Sequence, residues 1–470
     1  MENRPYVFYN DFKRLNEVAP PDELDDTELV EATNLVYKGN KVVAKRTGME
    51  RYNEDPYHTN PITRVISYEK KSLLLVADGT TLRKGNGDVI KDNFNNTNFD
   101  WVVYSDGKLY LVNGHDYYSY DGTTLISVVP ADGSLDHIKR CKYIVQRGER
   151  LFFSGDPENP NAIYYSNLGS PDNCPTLNMI NAVSDDNDVI TGLSEFHQAM
   201  VAFKRRHVYA WFGWDPAGDV RFDKINVHTG TLHNRTIQRV RNLLFYLGED
   251  GVYALQGLES DYISSLNMSD DVIRNRFKDS ITDSSAVFYD GKYMVAVGSN
   301  VLVYDFPNQA WSVWTWAVKD FEIYDNDLFF GSPTTSMVYK LTDEYNDDGA
   351  SIPFKMTTRS FNCKYPLHYK KFSWFYLLMG EGEEANEVNV TVLCDHQPVQ
   401  LVNGIQLNTV RVPGADMLDA TVPEHRTRLF YKKANLLARS LRAQVTIEND
   451  EVDEGVTIYG MGFQFWPIRV

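Results

Sequence analysis

The stretch SDGKLYLVNGHDYYSYDG, Ser105 to Gly122, is written a second time as YDGKYMVAVGSNVLVYDF, Tyr289 to Phe306. The two align without a gap. Asp106, Gly107, Lys108, Gly114, Tyr120 and Asp121 meet Asp290, Gly291, Lys292, Gly298, Tyr304 and Asp305. Each copy runs from an Asp-Gly turn signal through a short apolar run to a second turn signal and a second aromatic or β-branched run. In the first copy Leu109 and Leu111 fall on one face of an extended chain, and Tyr110 and Val112 on the other. Asn113-Gly114 predicts a hairpin, because both central positions of a type I′ turn need positive φ. Gly298 to Asn300 takes the same place in the second copy.

Looser versions begin near Ser67, Val145, Ser194, Val240 and Tyr324. Units that recur every roughly 35 to 50 residues, with short strands between turn signals, are the pattern of a β-propeller. One small twisted sheet cannot bury both of its faces, but it can when packed radially between neighbours. Seven windows between about Thr63 and Gly349 predict six or seven blades. The 13% aromatic content, with 29 Tyr, suits pleated, half-buried surfaces. Helical patterns are nearly absent. The best is SDDVIRNRFKD, Ser269 to Asp279, with Ser269 as N-cap and two acids at the positive end of the dipole.

The two ends differ from the middle. Residues 1–62 carry EVAPPDELDDTELVEATNLV, with prolines, acids and one short helical pattern, and read as an N-terminal arm. From Ser351 the strands lengthen. In NVTVLCD, Val390 and Val392 face one way while Thr391 and Leu393 face the other. The expected fold is therefore all-β: an arm over 1–62, a β-propeller over 63–350 and a C-terminal β-sandwich over 351–470.

The chain has 470 residues and a formal net charge of -17. A surface of that sign repels phosphate backbones and argues against classical nucleic-acid binding, yet it suits a wall that DNA must pass without sticking. No apolar run approaches the roughly 18 residues of a membrane helix. The N-terminus lacks the basic and apolar regions of a signal peptide. Cys141, Cys174, Cys363 and Cys394 lie far apart, without Cys-x-x-Cys spacing, so they read as free thiols in a reducing compartment and not as a zinc site.

The motifs that carry chemistry are missing. There is no phosphate-binding Gly-rich loop, no His-Glu-x-x-His and no Gly-x-Ser-x-Gly. His228 and His233 are five apart and share no face. SDDNDVI, Ser184 to Ile190, and DEYNDDG, Asp343 to Gly349, offer clustered oxygens but lack the Gly and closing Glu of an EF-hand loop. Both read as acidic loops, the second as the linker after the last blade. Three basic groups read as ordinary exposed strand faces, with contacts to an acidic neighbour or to DNA as the alternative. They are Lys204, Arg205 and Arg206; Arg235, Arg239 and Arg241; and Arg426, Arg428, Lys432, Lys433, Arg439 and Arg442. Phe212 to Trp214 and Ala310 to Trp316 read as core packing before interface anchors. SDGKLYLV is similar to the Ser-x-Asp-x-Gly-x-x-Trp box of sialidases, but its Asp comes one residue early and no Trp follows. Glycoside hydrolysis needs two carboxylates at a set separation, and among 64 acidic residues the sequence selects no pair. No catalytic, cofactor-binding or metal-binding residue is assigned, no cofactor is expected, and the chain reads as a non-enzyme.

Four phrases in order resemble one group, the tail and connector structural proteins of tailed bacteriophages built on a β-propeller, of tail nozzle or tail hub type. They are NLVYKGNKVVAKRTGMERYN (Asn34 to Asn53), IYYSNLGSPDN (Ile163 to Asn173), TGTLHNRTIQRVRNLLFYLGEDGVYALQG (Thr229 to Gly257) and DDGASIPFKMTTRSFNCKYPLHYKKFSWFYL (Asp347 to Leu377), the last with its paired Lys370 and Lys371. The resemblance implies a virion structural protein, assembled in the host cytoplasm as a ring, often of six copies, below the portal and adaptor. Such a ring helps retain the genome and forms the DNA ejection channel, touching the adaptor-side ring, distal tail proteins or fibres, and passing double-stranded DNA without sequence-specific binding. Known nozzles of some short-tailed phages are longer, so this chain would be a compact version. The competing expectation is a propeller receptor-binding protein or glycan hydrolase of a phage tail, which predicts carboxylates of raised pKa in a central pocket. A third is a cytosolic propeller scaffold for peptide partners.

Overall fold

The computed structural model describes residues 6–39, 42–182, 188–197, 199–213, 221–225, 229–257, 264–269, 284–380, 387–395, 397–400, 405–406 and 429–468. It is nearly all β-strand. Five four-stranded antiparallel sheets follow one another, each with its strands in chain order, over 62–91, 100–127, 143–181, 190–225 and 238–267. A sixth set of four strands, over 286–314, begins an 11-stranded sheet. A seventh set has three strands over 320–341 and takes its next strand, Met49–Arg51, from the N-terminal segment, with Tyr339 opposite Arg51. We number these units one to seven. The arrangement is propeller-like.

The duplicated stretch explains why. In unit two, Leu109 and Leu111 are buried against unit one beside Tyr68 and Leu75, while Tyr110 and Val112 are buried against unit three beside Leu151 and Phe153. In unit six, Tyr293 and Val295 lie against Phe245 of unit five, and Met294 and Ala296 against Phe321 and Phe330 of unit seven. Strict alternation therefore gives two buried faces here, where a sheet with one wet face would bury only every second residue. The series returns on itself, since Ile62, Val65 and Val76 of unit one pack with Phe329 and Val338 of unit seven. Fully burying such a side chain stabilises by about 1.5–3 kcal/mol, and every unit does so on both sides.

The turns differ between the two copies. Tyr289 pairs with Lys292, so Asp290 (φ 46°) and Gly291 (φ 71°) form the two-residue turn with both φ positive. In unit two the Asp-Gly pair lies inside a longer loop between Val103 and Leu109. The expected Asn113-Gly114 two-residue hairpin is instead a four-residue loop, since Val112 pairs with Tyr117. The Asn113 side-chain oxygen accepts the N–H groups of His115 and Asp116 at 3.0 and 2.8 Å, a local alternative that the short polar side chain makes available.

The N-terminal segment is strand, with no helix among its described residues. Glu28–Thr33 runs antiparallel to Phe354–Thr358, and Thr33 also bridges to Val313 of unit six. One sheet therefore continues from Ala310–Trp314 through Glu28–Thr33, Phe354–Thr358 and Ala443–Asn449 to Glu387–Cys394. A second sheet joins Leu35–Lys38 and Val42–Lys45 to Thr457–Pro467, Lys370–Gly380 and Leu429–Ser440, with Tyr6–Tyr9 also on Thr457–Pro467. Beyond Ser269, the helix expected over Ser269 to Asp279 lies outside the described residues. Ser269 itself is buried and accepts the N–H of Val252 at 3.0 Å.

At the junction of these parts Arg46 is wholly buried. Its guanidinium takes both oxygens of Asp347 at 2.7 and 2.6 Å, gives its Nε–H to Asn34 at 2.8 Å, and lies 4.5 Å from the Trp316 ring centre. Asn34, held at φ 51°, also accepts the N–H of Thr315 and donates to Pro353. DEYNDDG is thus tied into the body, with Asp347 on Arg46 and Asp348 on Arg51 at 2.5 Å.

Candidate functional site

The inner strand of each unit begins near one point, and there the chain places polar side chains. Asn234 and Arg235 sit in a single 3-10 turn, Asn234–Thr236, just before unit five. The Arg235 guanidinium reaches across to unit seven, donating to both Asp320 oxygens at 3.2 and 3.4 Å, to Glu322 at 3.3 Å and to the Phe321 carbonyl at 3.2 Å. Its other side lies 4.0 Å from the Trp101 ring centre of unit two. Asn234 donates to Asp100 of unit two at 3.0 Å and accepts the N–H of Leu193 in unit four. Asp100 accepts the N–H of Ile144 in unit three. Asp320 accepts the N–H of Val65 in unit one and the hydroxyl of Ser285, just before unit six. Residues from all seven units meet in this cluster, which only the axis of the ring allows.

Burial in this cluster sets the charges. Loss of water pushes the Asp100 carboxyl up to about 6, although the Ile144 N–H and Arg235 oppose it. The same cause pushes Glu322 up to about 8, with Arg235 opposing and Asp320 adding repulsion. Burial works against the charge on Arg235, but Asp320, Glu322 and Asp100 outweigh it and raise its pKa above the ordinary guanidinium value.

Above the cluster opens a cavity of about 460 Å³. Arg64, Lys142 and Arg235 bring cations to its wall, and Asp100 is its one carboxylate among the described residues. Asn234, His233 and Ser284 add polar groups. Asp320 and Glu322 are not part of the wall.

Arg235, read from sequence as an exposed strand face, is therefore an axial residue. The signal for it was position: it stands in a connector just ahead of an inner strand, as Asp100 and Asp320 stand at the starts of theirs. Lys204 is also buried, with its ammonium on the Asp188 carbonyl at 3.1 Å and 5.2 Å from the Tyr209 ring centre. Arg205 and Arg206 are exposed and share Glu249. Arg239 is exposed, and Arg241 covers Phe306. Arg439 covers Tyr369, and Arg442 pairs with Asp22. Arg426 and Arg428, the side chains of Lys432 and Lys433, His228, Trp214 and 184–187 of the acidic loop lie outside the described residues. Trp211, Trp311, Trp314 and Trp316 are buried core residues, and all four cysteines are buried and unpaired. Among the described residues no three His, Cys, Asp or Glu side chains cluster as a metal site would require.

No family model and no curated protein matches this chain. Several solved structures are similar to it at low identity. A computationally designed protein, Ika8, is 12% identical with a TM-score of 0.39, covering 63% of this chain and 100% of that one. The extracellular domain of a one-component system of B. thetaiotaomicron is 10% identical with a TM-score of 0.46, covering 70% of this chain and 42% of that one. The Neurospora crassa Pan2 WD40 domain is 9% identical with a TM-score of 0.41, covering 64% of this chain and 96% of that one. This chain thus spans less than half of the bacterial protein.

Proposed function

We propose that the chain is a non-catalytic structural subunit of a phage tail, one wall segment of a ring of nozzle or hub type. In this reading units one to seven are the seven blades of a propeller, closed by Met49–Arg51. The two larger sheets form a C-terminal β-sandwich, and the N-terminal segment is an arm woven between the two. The observation that carries the reading is the sheet that runs unbroken from unit six through Glu28–Thr33 into the C-terminal strands. A wall segment between stacked rings must transmit load without a hinge, and a shared sheet locked by Arg46 and Asp347 supports that role. Because the axial cluster fills the centre of each propeller, DNA would pass between copies and not through one. The net charge of -17 suits such a channel. Its partners would be further copies, probed first as a hexamer, the adaptor-side ring, and distal tail proteins or fibres of the virion.

Electron microscopy and light scattering of the purified protein test this. Closed rings with a central opening are the expected result. A monodisperse monomer that cleaves glycans would overturn the reading.

One observation favours the second reading, a receptor-binding or glycan-hydrolysing propeller: Asp100 and Glu322 are carboxylates of raised pKa on the axis. Hydrolysis needs two carboxylates flanking the substrate, and only Asp100 reaches the cavity. Turnover of glycans that Asp100→Asn abolishes would establish this alternative.

A further inference from the structure

The axial cavity has an unbalanced wall. Arg64 is 8% exposed, and its guanidinium donates only to backbone carbonyls, those of Phe99 at 3.2 Å and Thr63 at 2.7 Å. No carboxylate lies within ion-pair distance of it among the described residues. Asp100, whose carboxyl Arg235 and Arg64 both act to hold down, is shared between two guanidinium groups and makes no ion-pair contact with Arg64. Among the described residues the carboxylates of the cluster also have other partners: Asp100 has Asn234 and the Ile144 N–H, and Asp320 and Glu322 have Arg235. Among the described residues the wall thus carries more cationic groups than carboxylates, an excess that a bound anion would balance.

A second observation is independent of charge. The hydroxyl of Ser284, on the same wall, is 5% exposed and has no hydrogen-bond partner among the described residues. Buried polar groups in native structures are rarely left so, and one that lines a cavity marks a place for a ligand group. Lys142 adds a second cation at the mouth, where its side chain is exposed and makes no ion pair among the described residues.

We propose that this cavity binds a small hydroxylated anion, a sugar acid or sugar phosphate, with its charge on Arg64 and Lys142 and a hydroxyl on Ser284. The volume of about 460 Å³ is within the usual range for a small-molecule site. The cavity supplies one place for negative charge and hydrogen-bonding groups around it, and this combination selects such a ligand over a neutral sugar. The site is independent of the ring reading, since it lies within one copy.

Isothermal titration calorimetry on the full chain tests it with three probes: D-glucuronate, glucose 1-phosphate and glucose. The expected result is binding of one or both anions at least tenfold tighter than glucose, and the two anions distinguish carboxylate from phosphate as the source of charge. Lys142→Gln, at an exposed position that leaves the core untouched, should weaken the anion at least threefold. Ser284→Ala should weaken the anion and leave folding unchanged by circular dichroism. Arg64→Gln should abolish binding; should that variant fail to fold, Lys142→Gln and Ser284→Ala decide. Equal affinity for all three probes, no binding of any, or anion binding untouched by Lys142→Gln and Ser284→Ala would overturn the proposal.

Discussion

Replacing Arg46 by Met removes a wholly buried cation from the junction between the propeller-like body and the C-terminal sheets. Three losses add at this site. Asp347, with its side chain 13% exposed, loses both of its charge-assisted bonds. Asn34 loses one of the two donors on its side-chain oxygen. Trp316 loses the guanidinium over its ring. Removing one partner of a buried ion pair costs about 3–5 kcal/mol, most of it the charge left behind. A difference of 3 kcal/mol is about a hundredfold in an opening equilibrium. The chain is too large for a single unfolding free energy to be well defined, so the effect is best read locally. In native-state hydrogen exchange, the amides of Arg46 and Thr315, which bond to Asn34, should exchange about a hundredfold faster or more in Arg46→Met. Adding Asp347→Asn removes the stranded charge and should recover more than half of the loss. Acceleration below tenfold, or a double variant no better protected than the single one, would refute the idea that an ion pair locks this junction.

Glu322 makes stability depend on pH. Its carboxyl is raised in the folded chain to about 8, so the folded state holds a proton that the unfolded state has released above the ordinary carboxylate value. The stabilisation is full below about pH 4.5 and is lost as pH rises through 8, by an amount on the order of a few kcal/mol. Denaturation midpoints measured from pH 5 to 8.5 should fall with a slope that Glu322→Gln flattens, and an unchanged slope would refute the assignment. Gly48→Ala would set a Cβ 1.6 Å from the Asn346 carbonyl oxygen, which no rotamer relieves. The variant should lose several kcal/mol, at or above the top of the usual 0.5–3 kcal/mol range for single substitutions, and a soluble variant with wild-type melting would refute that packing. Burial pushes the thiols of Cys174 and Cys363 up to about 12 and of Cys394 up to about 11. A thiol reagent at pH 8 should therefore label none of the four cysteines until denaturant is added, and rapid labelling of any in the folded protein contradicts their burial.

The four-strand unit was legible because turn chemistry and alternation are local. Asp106-Gly107 and Asp290-Gly291 bracket strands whose two faces can be counted residue by residue. The N-terminal strands were not legible, because their partners are remote. Glu28–Thr33 sits beside two prolines and four acids that look like loop or helix, and it becomes a strand only when Phe354–Thr358 offers an edge. The same distance hid the axial cluster. Nothing near Arg235 in the chain announces Asp320 and Glu322, so its sequence neighbours Arg239 and Arg241 made it look like one of a solvated set. The tryptophans of Ala310 to Trp316 were read correctly as core, since alternation puts large apolar groups on both faces of a strand packed between units.

The strand that completes unit seven is made long before the strand it joins. Arg51 leaves the ribosome about 290 residues ahead of Tyr339, and at 5–20 residues per second that is a wait of about 15–60 s. Tyr6–Tyr9 waits longer still, for Thr457–Pro467 at the far end of the chain. Throughout synthesis, therefore, several finished sheets stand with open edges and apolar faces while their N-terminal partner hangs free. A nascent chain in that state can accept the same strand from a second copy, so crowded translation on one messenger would favour swapped dimers. Slow, dilute expression with chaperone support is the regime in which each chain closes on its own beginning.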